Sequence, residues 1–179
     1  MRKLKVTELN RLTAEEYKTS EKIPLVVVLD QVRSLNNVGS VFRTADAFRL
    51  ESVCLCGITA TPPNAEIHKT ALGAEETVEW RYYKNTPDCV KELKKNGFYV
   101  CAIEQTENSI PLETMELSPD QKYAIILGHE VKGVQQEVIN ECHCCIEIPQ
   151  FGTKHSLNVS VAAGIVIWEF FKVLQIKRI

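Results

Sequence analysis

Two short runs of unbroken apolar residues, PLVVVLD (24–30) and YAIILG (123–128), constrain this chain more than anything else in it. A strand that is hydrophobic on both faces must be covered on both, which requires a sheet with helices above and below. The intervening segments supply those helices. VGSVFRTADAFRL (38–50) places small and apolar residues at helical spacing, and PDCVKELKKNG ends in Gly97, a good stop signal. SVCLCGI, TVEWRYY, FYVCAIEQ and CCIEIP read as further strands, while TPPNAEIHKTALG reads as a turn with a short helix and VQQEVINEC as another short helix. TENSIPLETMELSPDQK reads as a loop with one helical turn. The alternation predicts an α/β domain with a mainly parallel sheet and helices on both faces.

A chain of 179 residues that is 45% hydrophobic fits one domain, with residues 1–22 as a charged N-terminal arm and 23–179 as the globular body. Ser160, Glu169 and Lys172 interrupt the apolar C-terminal helix, so no run reaches the roughly 18 residues of a membrane span. The N-terminus has no apolar signal core, and the expected compartment is the cytoplasm. Seven cysteines, an odd number in a chain of this size, point to free thiols. The CHCC cluster at 142–145 lacks the CxxC spacing of zinc knuckles, so buried or half-buried thiols are expected there and no metal. A net charge of -2 excludes a global positive field, so any polyanion must meet local patches such as Arg2, Lys3 and Lys5 or the closing IKRI.

Ligands of such sheets sit beyond the carboxyl ends of the strands. Three polar segments fall there: DQVRSLNNVGSVFR, GHEVKGV and PQFGTKHSLNVS. Ser156 is placed to cap the last helix, whereas Asn158 and Ser160, on a helix this apolar, would be buried and would need a polar partner. Gly128 and Gly133 bracket Glu130 in a spacing that matches neither the Walker loop nor the dinucleotide GxGxxG. Arg43 has Asp46 three residues on, which suits a surface ion pair; its planar fork equally suits a phosphate or ribose oxygen. Asn37, ahead of Gly39, fits a turn or a helix cap.

Together, NNVGSVFRTADAF, ILGHEVKGV and IPQFGTKHSLNVSVAAGIVIWEF resemble the three signature motifs of the SpoU/TrmH-type RNA 2′-O-ribose methyltransferases of the SPOUT superfamily, over residues 25–171. The resemblance implies a C-terminal trefoil knot, S-adenosylmethionine as cofactor, tRNA or rRNA as substrate, and a homodimer whose site draws on both subunits, with 23–179 as the catalytic domain. It places Asn37 and Arg43 as catalytic or RNA-facing groups, Glu130 as the acid that orders the site, and Ser156 and Asn158 on the cofactor side and the catalytic loop. Ile103, Gly128, Ile148 and Leu157 would join Ser156 in holding the cofactor. Three positions depart from the family pattern: His129 stands where Asn is common, Val131 where Gly is common, and Arg49 where Gly is frequent. A noncatalytic RNA-binding dimer that kept the knotted fold is the alternative.

Overall fold

In the computed structural model, which describes residues 1–175, the two apolar runs become adjacent central strands of a seven-stranded sheet. The IKRI segment, 176–179, lies outside the described residues. After a 3-10 turn at Val6–Glu8, the chain forms α1 (Ala14–Thr19), β1 (Ile23–Asp30), α2 (Leu35–Ala47), β2 (Leu50–Cys56), α3 (Ala65–Ala71), α4 (Ala74–Thr77) and β3 (Trp80–Tyr83). It continues through α5 (Thr86–Lys95), β4 (Phe98–Ile103), β5 (Ile110–Pro111), β6 (Lys122–Leu127), α6 (Gln136–Glu141), β7 (Cys144–Glu147) and α7 (Val159–Gln175). The strand order is β3-β2-β1-β6-β4-β7-β5, and every pairing is parallel.

The unbroken apolar character of β1 follows from its position. Leu25, Val27 and Leu29 point into one core with Phe42 of α2, Ile67 of α3 and Phe170 of α7. Val26 and Val28 point into the other, with Val90 and Leu93 of α5 and Val138 of α6. Each fully buried aliphatic side chain contributes about 1.5–3 kcal/mol, so one strand anchors both helical layers. Gly39 lets α2 and α3 cross closely: a Cβ there would lie 2.1 Å from Thr70 Oγ1 and 2.3 Å from the Ile67 carbonyl oxygen.

The N-terminal segment is more structured than its charges suggest. Thr13 and Glu16 form a reciprocal capping box on α1, and Tyr17 is buried in the first core. The stretch read as a loop at 106–122 contains β5, whose Pro111 is tolerated because it sits on an edge strand. All seven cysteines are free; Cys142 and Cys144 are half-buried and the other five buried. On α7, Ala163, Val166, Ile167 and Phe170 are buried, whereas Val161, Ile165 and Trp168 form an exposed apolar stripe.

Candidate active site

The loops after β1, β6, β4 and β7, four strands adjacent in the sheet, converge at its carboxyl edge. The chain order reverses direction between β1 and β6, the type of position where α/β sheets open a crevice.

Glu130 is the hub of that edge. Its Oε1 accepts from the Ser34 amide at 2.8 Å and from Asn37 Nδ2 at 3.1 Å, and its Oε2 accepts from the Arg33 amide at 3.1 Å. Burial alone would raise its carboxyl pKa; the Ser34, Glu130 and Arg33 amides and the Asn37 side chain outweigh that and hold it below the usual carboxylate range. Asn37 is buried in the first turn of α2, whose cap is Ser34. Its Oδ1 accepts from Asn158 Nδ2 at 3.1 Å. Because one end of the Asn37 amide must donate to a carboxylate, the orientation of the whole chain Glu130–Asn37–Asn158 is set.

The cap of α7 is Asn158, not Ser156. Asn158 Oδ1 accepts from the Ser160 amide at 2.9 Å and the Ser160 hydroxyl at 2.7 Å, and its carbonyl accepts from the Ala162 amide at 2.9 Å. Both residue types make good caps, but α7 begins at Val159, where the chain first enters the core, and the cap must immediately precede it. Ser156 is exposed two residues earlier and makes no hydrogen bond among the described residues. Ser160 meets its polar partner within its own turn. Asn158 is exposed as a residue, so its amide is not a buried group in need of rescue.

Arg43 is not brought to this cluster. Six residues beyond Asn37, it is rotated about 120° around α2 and lies roughly 9 Å further along it. It is exposed and forms no hydrogen bond or ion pair among the described residues. The Arg43–Asp46 pair suggested by their spacing is absent, since Asp46 Oδ1 instead accepts from the Thr77 hydroxyl of α4 at 3.0 Å.

Beside the hub lies a cleft of about 290 Å³, and Ile103, Gly128, Ile148, Ser156 and Leu157 all line it. Glu104 and Glu130 bring two carboxylates to the same walls. Gly128 is required by backbone proximity: a Cβ would fall 2.1 Å from the Gly133 carbonyl carbon and 2.2 Å from the Val134 nitrogen.

The three departures have local explanations. His129 Nδ1 accepts from the Val131 amide at 3.0 Å and the Lys132 amide at 3.3 Å, doing for this turn what an asparagine oxygen does. Among the described non-glycine residues with positive φ, Val131 does not appear, so its turn needs no glycine. Arg49 has φ 50, the left-handed region that glycine enters most easily.

Two acids escaped the sequence reading. Glu104, at the end of β4, accepts from the Val134 amide at 2.9 Å and so ties the Glu130 loop to β4. Asp30, fully buried at the end of β1, accepts from the Thr86 hydroxyl at 2.5 Å and the Gln135 amide at 3.0 Å. Burial raises its carboxyl pKa, against the pull of those two donors. The signal for Asp30 was present, because a lone carboxylate closing an apolar strand must find buried donors; Glu104 had none.

Residues 24–168 match the model of the SpoU rRNA Methylase family. A putative TrmH family tRNA/rRNA methyltransferase of Staphylococcus aureus is 32% identical over 158 residues, covering 88% of this chain and 62% of the relative. The 23S rRNA (guanosine-2′-O-)-methyltransferase RlmB of Neisseria meningitidis is 32% identical over 146 residues, covering 82% of this chain and 57% of the relative. The crystal structure of an AdoMet-bound rRNA methyltransferase from Sinorhizobium meliloti superposes with a TM-score of 0.77 at 26% identity, covering 89% of this chain and 59% of that one. This chain therefore spans about three fifths of the length of these relatives. With its parallel α/β sheet, its three motifs meeting at one edge and a family match over most of its length, the chain belongs to the SpoU rRNA methylase family.

Proposed function

We propose that residues 23–179 transfer a methyl group from S-adenosylmethionine to a ribose 2′-hydroxyl of tRNA or rRNA. The observation that carries this reading is the hydrogen-bonded chain Glu130–Asn37–Asn158, which joins all three motifs beside the cleft. The residues present fit the cofactor: Ile103, Ile148 and Leu157 would offer an apolar seat for a purine, and the negative charge of Glu104 and Glu130 on the same walls would favour a cationic sulfonium. Its volume, about 290 Å³, falls just under the roughly 300–1,000 Å³ of small-molecule sites. The AdoMet-bound structural relative supports the same assignment. When bound, the cofactor supplies an electrophilic methyl carbon on a good leaving group.

The chain's own residues orient and stabilise. Ile103, Gly128, Ile148, Ser156 and Leu157 hold the donor, while Glu130 and Asn37 fix the loop that frames it. Asn158, by capping α7, fixes the other wall. The attacking hydroxyl gives up its proton to solvent water, because a guanidinium, already protonated, is a poor base. Arg43 instead stabilises the developing alkoxide or grips a neighbouring phosphate. Its outward direction, and the apolar stripe of Val161, Ile165 and Trp168, support a homodimer in which Arg43 serves a second copy's cleft. The same reading includes a knotted C-terminal segment and a cytoplasmic location; no helix among the described residues is long and apolar enough to cross a membrane.

Calorimetric titration with S-adenosylmethionine, paired with mass spectrometry of RNA from a deletion strain, tests the proposal. Saturable binding and one missing 2′-O-methyl group are expected. Binding with an unchanged modification profile would replace the enzyme by the noncatalytic RNA-binding dimer, and no binding would remove the cofactor.

A further inference from the structure

On the opposite flank of α2 from the Glu130 hub, α3 and α4 carry a cluster that the methyl-transfer reading does not use. The ligand atoms of His68, Glu75 and Glu76 lie within 4.8 Å of one another. In one continuous helix, His68 and Glu75 would be separated by about 10 Å along the axis. Here Leu72, at φ 55, and Gly73, at φ 94, reverse the chain between α3 and α4. The reversal brings His68 Nδ1 to 2.5 Å from Glu75 Oε1.

A histidine–glutamate ion pair would explain that single contact, but it leaves the second carboxylate oxygen unaccounted for. The Glu75 side chain is only 8% exposed, and its Oε2 is buried with no hydrogen-bond partner. Among the described residues, no lysine or arginine forms an ion pair with Glu75 or Glu76; the flanking bases in sequence, Lys69 and Arg81, are engaged by Glu66 at 2.6 Å and Glu92 at 3.0 Å. A largely buried carboxylate beside two further donor groups, with one oxygen left unpaired and no lysine or arginine ion-paired to it, is an environment that suits a bound cation.

We propose that His68, Glu75 and Glu76 bind one divalent transition-metal cation of the zinc type. One imidazole nitrogen with two carboxylates is a ligand set that zinc accepts, water completing the shell, whereas magnesium and calcium favour oxygen donors alone. The cation clasps α3 to α4, and both helices pack on α2: α3 through the close approach at Gly39, and α4 through the Thr77–Asp46 hydrogen bond. It therefore braces the helix that presents Asn37.

The full chain, with thiols kept reduced, is titrated with Zn²⁺, using Mg²⁺ as control, in the wild type and in His68→Gln, Glu75→Gln and Glu76→Gln. His68 is largely exposed, so His68→Gln preserves the fold even where Glu75→Gln does not. One equivalent of Zn²⁺ is expected to shift the His68 ring-nitrogen resonances and, at about a hundredfold excess over Kd, to raise Tm by roughly 5–10 °C. His68→Gln should lose that equivalent, and Mg²⁺ should do neither. The proposal is overturned if His68→Gln binds Zn²⁺ as the wild type does, which would place the ion on the thiols of Cys142 or Cys144, or if the His68 ring signals do not move at saturation. None of these readouts depends on methyl transfer.

Discussion

Replacing Glu130 with glutamine removes one negative charge and turns one acceptor oxygen into a donor. The carboxylate meets three N–H groups, from Arg33, Ser34 and Asn37. In the least costly arrangement the new amide nitrogen faces the Arg33 amide, which has access to solvent, and the remaining oxygen keeps Ser34 and Asn37. One charge-assisted bond, worth about 1.5–3 kcal/mol, is then lost, and two others fall to the weaker neutral class. Solvent at Arg33 returns part of this, so the expected destabilisation is about 2–4 kcal/mol, or roughly 5–15 °C in Tm. The pH dependence supplies a second check. A carboxyl whose folded pKa lies below its unfolded value stabilises above the unfolded pKa, about 4.3, and loses that contribution as pH falls through the folded pKa. The gap between wild type and Glu130→Gln in urea unfolding should thus be constant from pH 6 to 8 and narrow below about pH 4. A gap under about 0.5 kcal/mol at pH 7, or one that does not narrow in acid, would refute the assignment of Glu130 as the hub.

Gly128→Ala should cost about 1–3 kcal/mol by thermal unfolding and weaken S-adenosylmethionine binding at least about tenfold, since the new methyl meets backbone rather than a yielding side chain. Asn158→Ala should cost about 0.5–2 kcal/mol and speed hydrogen exchange at the Ser160 amide; unchanged exchange would put the cap elsewhere. Arg43→Ala should leave stability within about 0.5 kcal/mol, because the side chain is exposed and forms no hydrogen bond or ion pair among the described residues, while slowing single-turnover methyl transfer about 10²–10³-fold. Transfer at the wild-type rate would remove Arg43 from the mechanism.

The fold class was legible because burial on both faces of a strand leaves an unmistakable trace in PLVVVLD and YAIILG. Strand order was not, since nothing local in either run says that β6 will lie between β1 and β4. The site showed the same division. Asn37, Glu130 and Asn158 could be named from their motifs, but their mutual hydrogen bonds span 93 and 121 residues and exist only in three dimensions. Ser156 and Asn158 are equivalent as cap formers, and the choice between them was made by where Val159 enters the core. The spacing of Arg43 and Asp46 permits an ion pair, but a threonine from α4 competes for Asp46 and wins. Tyr17 was obscured by the charges around it, because a single aromatic anchor creates no periodicity.

The central place of β6 also bears on how the chain is made. β1 can pair with β2 soon after both leave the ribosome, yet the strand on its other side is encoded roughly 90 residues downstream. At synthesis rates of about 5–20 residues per second, that is some 5–18 s with an apolar edge open to other nascent chains. Any cell that produces this protein must shield that edge until its late neighbour arrives.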